Sequence, residues 1–436
     1  MRVELEKDIF DVKKLKCQLL QWANQFEHVV WLDSNAYPFN KNRYEAILAV
    51  GAKQIFQSNS PQALNELKEY KQKHKEWLFG YLSFDLDKIY NENQNIDFLN
   101  FSKVYFFQPE KIFFISENNV EIQYNSQKEY EIEEDWRKIE SIDVHGTIQE
   151  DLNFEIKPRL SKKEYLRKVK EIQDYIQKGE IEEVNFCQEF YANGEIKNPL
   201  KVYQSLNSIS ETPFASYLRI GQKYALCASP ERYLSGTNRY IKSQPIKGTA
   251  KRKQDPIEDK EILKALQSDK KEIIENTIIA EMVAEELRTI AENDEATISE
   301  LCKAYTFKQV HQLISTVVCK LKSGFNAVDA IIATYPMGSM TGIPKQNAMK
   351  LIHTLENFNR SLYSGSIGYF APNDDFDFNV VIRSILYNAK NNYVSYAAGG
   401  AITALSNPES EYEECLVKAK AMGEVLGVVK VNKEEK

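Results

Sequence analysis

SGSIGYFAPNDDFDFNVVIRSILYNAKNNYVSYAAGGAIT runs from Ser364 to Thr403. It holds three apolar runs, SGSIGYFA, FNVVIRSILYN and NYVSYAAGGAIT, each bounded by Asn, Asp, Pro or Gly. That punctuation predicts three successive strands. More strand-like runs precede them: EVNFCQEFYA from Glu183, then ASYLRI, KYALCAS and RYLSG. HVVWLDS, GYLSFDL and KIFFIS lie within the first 150 residues. Helical patterns come in separate blocks. SKKEYLRKVKEIQDYIQKG (Ser161–Gly179) opens with Ser161 and Glu164 at capping-box spacing and closes on Gly179. Leu166, Val169, Ile172 and Ile176 recur on one face of it. Pro256–Asn293 and parts of Asn326–Asn357 also read as helix. Clustered strands and clustered helices indicate an α+β fold with mainly antiparallel sheet.

The chain has 436 residues, a formal net charge of −7 and 43% hydrophobic residues. That suffices for one large core or two smaller ones. The acidic balance argues against nucleic acid as a partner. MRVELEKDIF has no apolar signal region, and no run approaches the ~20 residues of a membrane span. The six cysteines contain no CxxC pair and read as reduced, mostly buried thiols of a cytoplasmic protein. The acidic stretch Glu131–Asp151 is the expected linker. It divides an N-terminal subdomain (1–150) from a catalytic region (151–430).

Glu272 and Glu275 stand three apart on one predicted helix, and Glu411 and Glu414 repeat the spacing on another, with Lys418 a turn further on. Such neighbours repel by ~0.2–0.5 kcal/mol, and a hard divalent cation reverses the sign. In a chain that is 27% charged, two solvated helix faces are the plainer account of the pairs on spacing alone. In YPMGSMTGIPKQNAMKLI, Gly338, Ser339, Thr341 and Gly342 form a small-residue loop ahead of a helix opened by Pro344. Its backbone N–H groups suit an anion, and an ordinary tight turn is the alternative. Gly399 and Gly400 give a second turn where backbone can approach a ligand. Arg383 interrupts an apolar run and needs an anionic partner, either a ligand or an internal salt bridge. His311 reads by itself as a core histidine. Glu231, after a Ser-Pro turn, is a general acid if buried and an exposed turn residue otherwise. Lys247 sits in SQPIKGTAKR, where an apolar residue packs more cheaply.

EVNFCQEF, ASPERYLSG, PIKGT, KEIIEN, VHQLISTV, YPMGSMTGIPK, YSGSIGYF, VVIRS, AAGGAI and ESEYEECLVKAK together resemble the chorismate-utilising family, from about Ser161 to Met422. The family includes the synthase subunits of anthranilate and aminodeoxychorismate formation and the isochorismate and salicylate synthases. The resemblance implies two antiparallel sheets packed face to face, helices outside, and the site in the cleft between them. It implies that Glu272, Glu275, Glu411 and Glu414 hold Mg²⁺, which holds the ring carboxylate of chorismate. It assigns Arg383, Tyr363 and Gly399-Gly400 to the enolpyruvyl carboxylate, and puts Lys418 near the bound carboxylates. His311 and Thr341 would line the ring, and Glu231 would protonate the departing C4 hydroxyl.

Within the family, anthranilate-forming members typically carry alanine where this chain has Lys247, whereas aminodeoxychorismate-forming members carry lysine. The resemblance therefore implies amination at C4 through a covalent Lys247 intermediate. For that the pocket must lower the lysine pKa from ~10.4, by desolvation or by cations such as Lys251 and Arg252. An anthranilate-forming subunit and a catalytically silent homologue are the alternatives. Glu183 stands where water-activating relatives place lysine and aminating ones usually place glutamine. Ala284-Glu285-Glu286, Ala401 and TALS also depart from the family pattern. No cysteine lies in a Gly-flanked elbow, so ammonia is expected from solution or from a separate glutamine amidotransferase subunit. No fused lyase is expected after the chorismate motifs.

Overall fold

The computed structural model describes residues 2–37, 44–86, 97–144 and 152–427. Ser364–Thr403 contains four strands rather than three. They are β17 (Ser366–Phe370), β18 (Phe376–Asn379), β19 (Ser384–Asn388) and β20 (Tyr393–Ile402). The run FNVVIRSILYN, expected as one strand, breaks at Val380–Arg383, where Arg383 adopts φ 53°.

The pairings explain the break. β18 pairs with β17 and with β11 (Arg232–Thr237), whereas β19 pairs with β10 (Lys223–Ser229) and β20. The two halves of the run thus belong to different arms of the sheet. All recorded pairings are antiparallel and form one hydrogen-bonded network that divides at β5 (Val104–Ile115).

One arm runs β1 (Arg2–Asp8), β6 (Asn119–Asn125), β5, β3 (Ala46–Ser58), β2 (His28–Asp33), β9 (Phe214–Ile220), β10, β19, β20 and β8 (Glu183–Asn193). β7 (Lys157–Pro158) and β16 (Gly342–Ile343) pair with the two ends of β8. The other arm leaves β5 through β4 (Leu78–Leu82) and continues through β17, β18, β11, β12 (Tyr240–Gln244) and β15 (Val310–Leu321). β13 (Ile246–Lys251) follows β12 along β15, and β14 (Ala291–Thr306) covers its other edge. This is the expected α+β, two-layer antiparallel arrangement, with β5 common to both arms.

One hydrophobic core includes residues of both arms. Phe106 of β5 meets Phe370 of β17 at 5.3 Å with the rings tilted by 49°, and Phe370 meets Phe378 of β18 edge-on at 4.9 Å. Each such buried aromatic contributes on the order of 1.5–3 kcal/mol.

The capping box of Ser161 and Glu164 is formed at the head of helix Lys162–Gln177. Its buried face is Tyr165, Lys168, Val169 and Ile172, so the stripe is rotated from the expected one. Lys168 can lie there because its ammonium reaches Leu355 O and Asn357 Oδ1. The expected linker is instead partly a helix, Ile132–Ser141, docked through Ile132, Trp136 and Ile139. Residues 145–151, with the boundary at 150, lie outside the described residues. No helix among the described residues is long and apolar enough to cross a membrane. The six cysteines are free, and four are buried.

Candidate active site

The two crossings between arms supply the first two site residues. β10 ends at Ser229 and β11 begins at Arg232, so Pro230-Glu231 turns a corner between layers. Val380–Arg383 turns the other, and Val380 N donates to Glu231 O at 3.0 Å. Backbone at a corner is not committed to a ladder on both sides, which leaves these side chains free to face the cleft.

Glu231 is 4% exposed and accepts a hydrogen bond from Ser339 Oγ at 2.6 Å. Burial pushes its pKa up to about 7, against the hydrogen bond from Ser339 and the charge of Lys247. It is a buried acid rather than an exposed turn residue. Among the described residues Arg383 makes no side-chain ion pair or hydrogen bond, so the internal salt bridge is not formed there. Burial lowers its pKa, opposed only by Tyr363 and Glu414. Glu414 acts on the guanidinium by charge alone, which leaves its planar set of donors able to take an anion.

Lys247 lies on β13, where Gly248 at φ 94° breaks the pairing with β15. Its ammonium donates to Glu183 Oε1 at 2.8 Å, with side chains 10% and 5% exposed. Burial acts to lower the Lys247 pKa, but Glu183, Glu275 and Glu231 together hold it above the usual value. The expected lowering is therefore corrected: the free protein holds an ammonium, because carboxylates surround it. Arg252, expected as a cationic neighbour, instead pairs with Asp259 through two bonds of 3.0 and 2.9 Å.

Helix Lys270–Arg288 is capped by Asp269, which accepts from Lys271 N and Glu272 N. Asn276 docks it on the sheet by donating to Lys247 O and Leu313 O at 2.9 Å each. Helix Pro408–Val425 starts from an Asn407 cap. The facing turns bring the two glutamate pairs together. Lys271 Nζ stands 3.7 Å from both Glu275 Oε1 and Glu411 Oε1. Burial raises the Glu272 pKa and pushes Glu275 up to about 7. Against burial, Lys418 at 2.7 Å holds Glu414 low. Lys418 also donates to Gly399 O at 2.9 Å. A Cβ on Gly400 would lie 3.4 Å from Glu411 Oε2 and 3.6 Å from Lys418 Nζ, so the glycine floors this cluster.

Among the described residues, no three His, Cys, Asp or Glu groups already stand at metal-binding spacing. The donor set nevertheless fits a hard divalent cation: the four groups are carboxylates, and Glu275 Oε1 is buried without a hydrogen-bond partner.

Thr341 is fully buried, with its hydroxyl turned back on Met337 O and Gly338 O at 3.3 Å each. Its carbonyl accepts from Asn185 N at 2.7 Å, so it ties the loop to β8. Tyr363 Oη lies 3.4 Å from Cys187 Sγ. His311 is not brought to the cluster. Its ring nitrogens meet Asp259 Oδ1 at 3.1 Å and Thr306 Oγ1 at 2.9 Å. Gln312, next along β15 and so on the opposite face, is buried with Oε1 unpartnered.

Sequence reasoning also missed Glu356 and Arg360, an ion pair of 2.6 Å with both side chains 1% exposed. Glu356 accepts from Cys187 N, and Arg360 donates to Met340 O and Asn185 O. The pair joins β8, the Gly338–Met340 turn and the segment leading to Tyr363. Its i,i+4 spacing was the available signal. A cavity of about 860 Å³ lies elsewhere, lined by Asp33, Ser34, Tyr44, Phe214, Arg232 and Asp377 among others.

A family model described as chorismate binding enzyme matches residues 27–424. A probable chloroplastic aminodeoxychorismate synthase of Oryza sativa is 36% identical over 61% of this chain and 30% of its own length. Aminodeoxychorismate synthase component 1 of Escherichia coli is 33% identical over 62% of this chain and 59% of that one. Anthranilate synthase component 1 of Aquifex aeolicus is 28% identical over 82% of this chain and 76% of that one. The chain thus spans about a third of the plant relative and more of the bacterial subunits. Among solved structures, anthranilate synthase component I of Streptococcus pneumoniae superposes with TM-score 0.76 at 23% identity, covering 86% of this chain and 91% of that one. The isochorismate synthase MenF of Escherichia coli gives 0.76 at 17%, covering 98% and 95%. Both likenesses carry the fold.

Proposed function

The chain belongs to the chorismate-binding enzyme family, and we propose that it aminates chorismate at C4 to 4-amino-4-deoxychorismate, on the route to 4-aminobenzoate and folate. The observation that carries the reading is the Lys247 ammonium within electrostatic reach of Glu231, a carboxyl whose pKa of about 7 keeps it largely protonated below neutrality. A nucleophile and an acid in one cleft suit displacement of a hydroxyl. The relatives named aminodeoxychorismate synthase support the same branch.

Arg383, Tyr363 and the Gly399-Gly400 backbone would hold the enolpyruvyl carboxylate, with Lys418 adding positive charge beside it. Glu272, Glu275, Glu411 and Glu414 would hold Mg²⁺, some through water. When bound, the ion supplies positive charge for the ring carboxylate and relieves the repulsion among the four glutamates. Lys247 attacks C2 while Glu231 gives its proton to the C4 hydroxyl, which leaves as water. Ammonia then attacks C4 and expels the lysine, so two displacements retain the configuration. Ammonia comes from solution or from a separate glutamine amidotransferase subunit, as the name component 1 of the bacterial relative suggests.

The longer match to an anthranilate synthase subunit favours a second reading, in which anthranilate is formed directly. Purified protein with chorismate, Mg²⁺ and ammonium separates the two. The first reading predicts a product that retains the enolpyruvyl group and yields 4-aminobenzoate only after a lyase is added. Anthranilate and pyruvate appearing without the lyase overturn it.

A further inference from the structure

We propose that Glu183 is a catalytic residue: the base that takes the proton from the Lys247 ammonium so that the amine can attack. The inference rests on the covalent reading above and deepens it. Lys247 is held as an ammonium, and an ammonium has no lone pair to give. Of the four carboxyl groups that act on it, Glu183, Glu231, Glu275 and Glu414, only Glu183 makes a hydrogen bond to its nitrogen, at 2.8 Å. Glu231 is engaged by Ser339 and must keep its own proton for the leaving hydroxyl. Glu275 is committed to the carboxylate cluster with Lys271.

The pair is also built in. Glu183 opens β8 and is registered against Ile343, while Glu182 N donates to Ile343 O at 2.7 Å. Gly342, at φ 151°, lets β16 approach so closely that a Cβ there would lie 2.2 Å from Glu183 O. The carboxylate therefore stands on fixed backbone. The other charged groups in reach are Glu231 at the corner, Lys271, Glu272 and Glu275 on one helix, and Glu414 and Lys418 on the other.

The step balances. Glu183 accepts a proton from Lys247, and the freed lone pair forms the N–C2 bond. The C1=C2 pair moves to C1=C6, the C5=C6 pair moves to C4=C5, and the C4–O bond breaks. The departing hydroxyl takes the proton of Glu231 and leaves as water. When ammonia attacks C4 the shifts reverse and the N–C2 bond breaks. The released amine recovers its proton from Glu183, and the new C4 ammonium returns one to Glu231.

The test is the pH–rate profile of the full chain and of Glu183→Gln, with Mg²⁺, saturating chorismate and uncharged ammonia held constant. In the wild type, kcat is flat below about pH 7 and falls above it, because Glu231 must be protonated and loses its proton there. Glutamine is usual here in aminating relatives, but in this chain Glu275 and Glu231 also hold Lys247 as an ammonium, so in Glu183→Gln kcat at pH 7 falls by about 10²-fold or more. Below pH 7 it climbs about tenfold per pH unit, since only the rare uncharged amine reacts. KM for chorismate and the melting temperature stay at wild-type values, and Glu183→Asp recovers part of the rate. A Glu183→Gln protein with wild-type kcat and a flat acidic limb overturns the inference while leaving the covalent reading standing. Full turnover by Lys247→Ala overturns both.

Discussion

Arg383 carries a guanidinium into the cleft at a backbone φ of 53°, a region few non-glycine residues occupy. A half-buried cation without a hydrogen-bond partner among the described residues costs stability, and the cost is recovered when an anion arrives. Arg383→Lys keeps the charge and the backbone but loses the planar fork. The expected result is a loss of about 1.5–3 kcal/mol in Mg²⁺-dependent chorismate binding by titration calorimetry, roughly ten- to hundredfold, with the melting temperature retained. Binding at wild-type strength would mean that the carboxylate docks elsewhere. The sequence exposed this residue as a charge in an apolar run. It could not separate a ligand site from a salt bridge, because that depends on what faces the corner across the cleft.

Gly399 and Gly400 adjoin on β20, yet the structure needs them for different reasons. A Cβ on Gly399 would sit 2.0 Å from Phe186 O and 2.6 Å from Cys187 Cα, so β20 and β8 would have to part. On Gly400 the nearest atom would be Glu411 Oε2 at 3.4 Å, which is tolerable packing. Gly399→Ala is therefore expected to lose about 1–3 kcal/mol of stability in denaturant melts. Gly400→Ala should keep its stability and bind chorismate more weakly, because the methyl fills the floor of the cluster. The reverse pattern would contradict this placement.

Elements with local signals were legible: the Ser161 cap, β8 to β11, and β20 between its turns. The break between β18 and β19 was not. Val380–Arg383 looks like continuous strand until β18 and β19 are drawn to different arms. β14 was missed because AENDEATISELCKAYT is polar, as suits a strand on the outer edge of β15 with alternate residues in water.

At the scale of the molecule, the cleft sits where the chain crosses between arms. β5 joins the arms, the corners at Glu231 and Arg383 pass between them, and two helices bring four carboxylates to the gap. Arg383, Lys247, Lys271 and Lys418 stand among the carboxyl groups of Glu183, Glu231, Glu272, Glu275, Glu411 and Glu414, so the proposed dianionic substrate needs the proposed divalent cation to offset them. The motif pairs in the sequence identified most of this constellation. The pairing of Lys247 with Glu183 was out of reach, since the two lie 64 positions apart, on β13 of one arm and β8 of the other.

The central claim is that Lys247 joins chorismate covalently before the nitrogen arrives. It is tested most directly by mass spectrometry of protein quenched after mixing with chorismate and Mg²⁺ without ammonia. The account predicts an adduct of chorismate less one water on the peptide carrying Lys247, absent in Lys247→Ala and cleared when ammonium is added. Unmodified Lys247 throughout, with Lys247→Ala turning over at the wild-type rate, would contradict it.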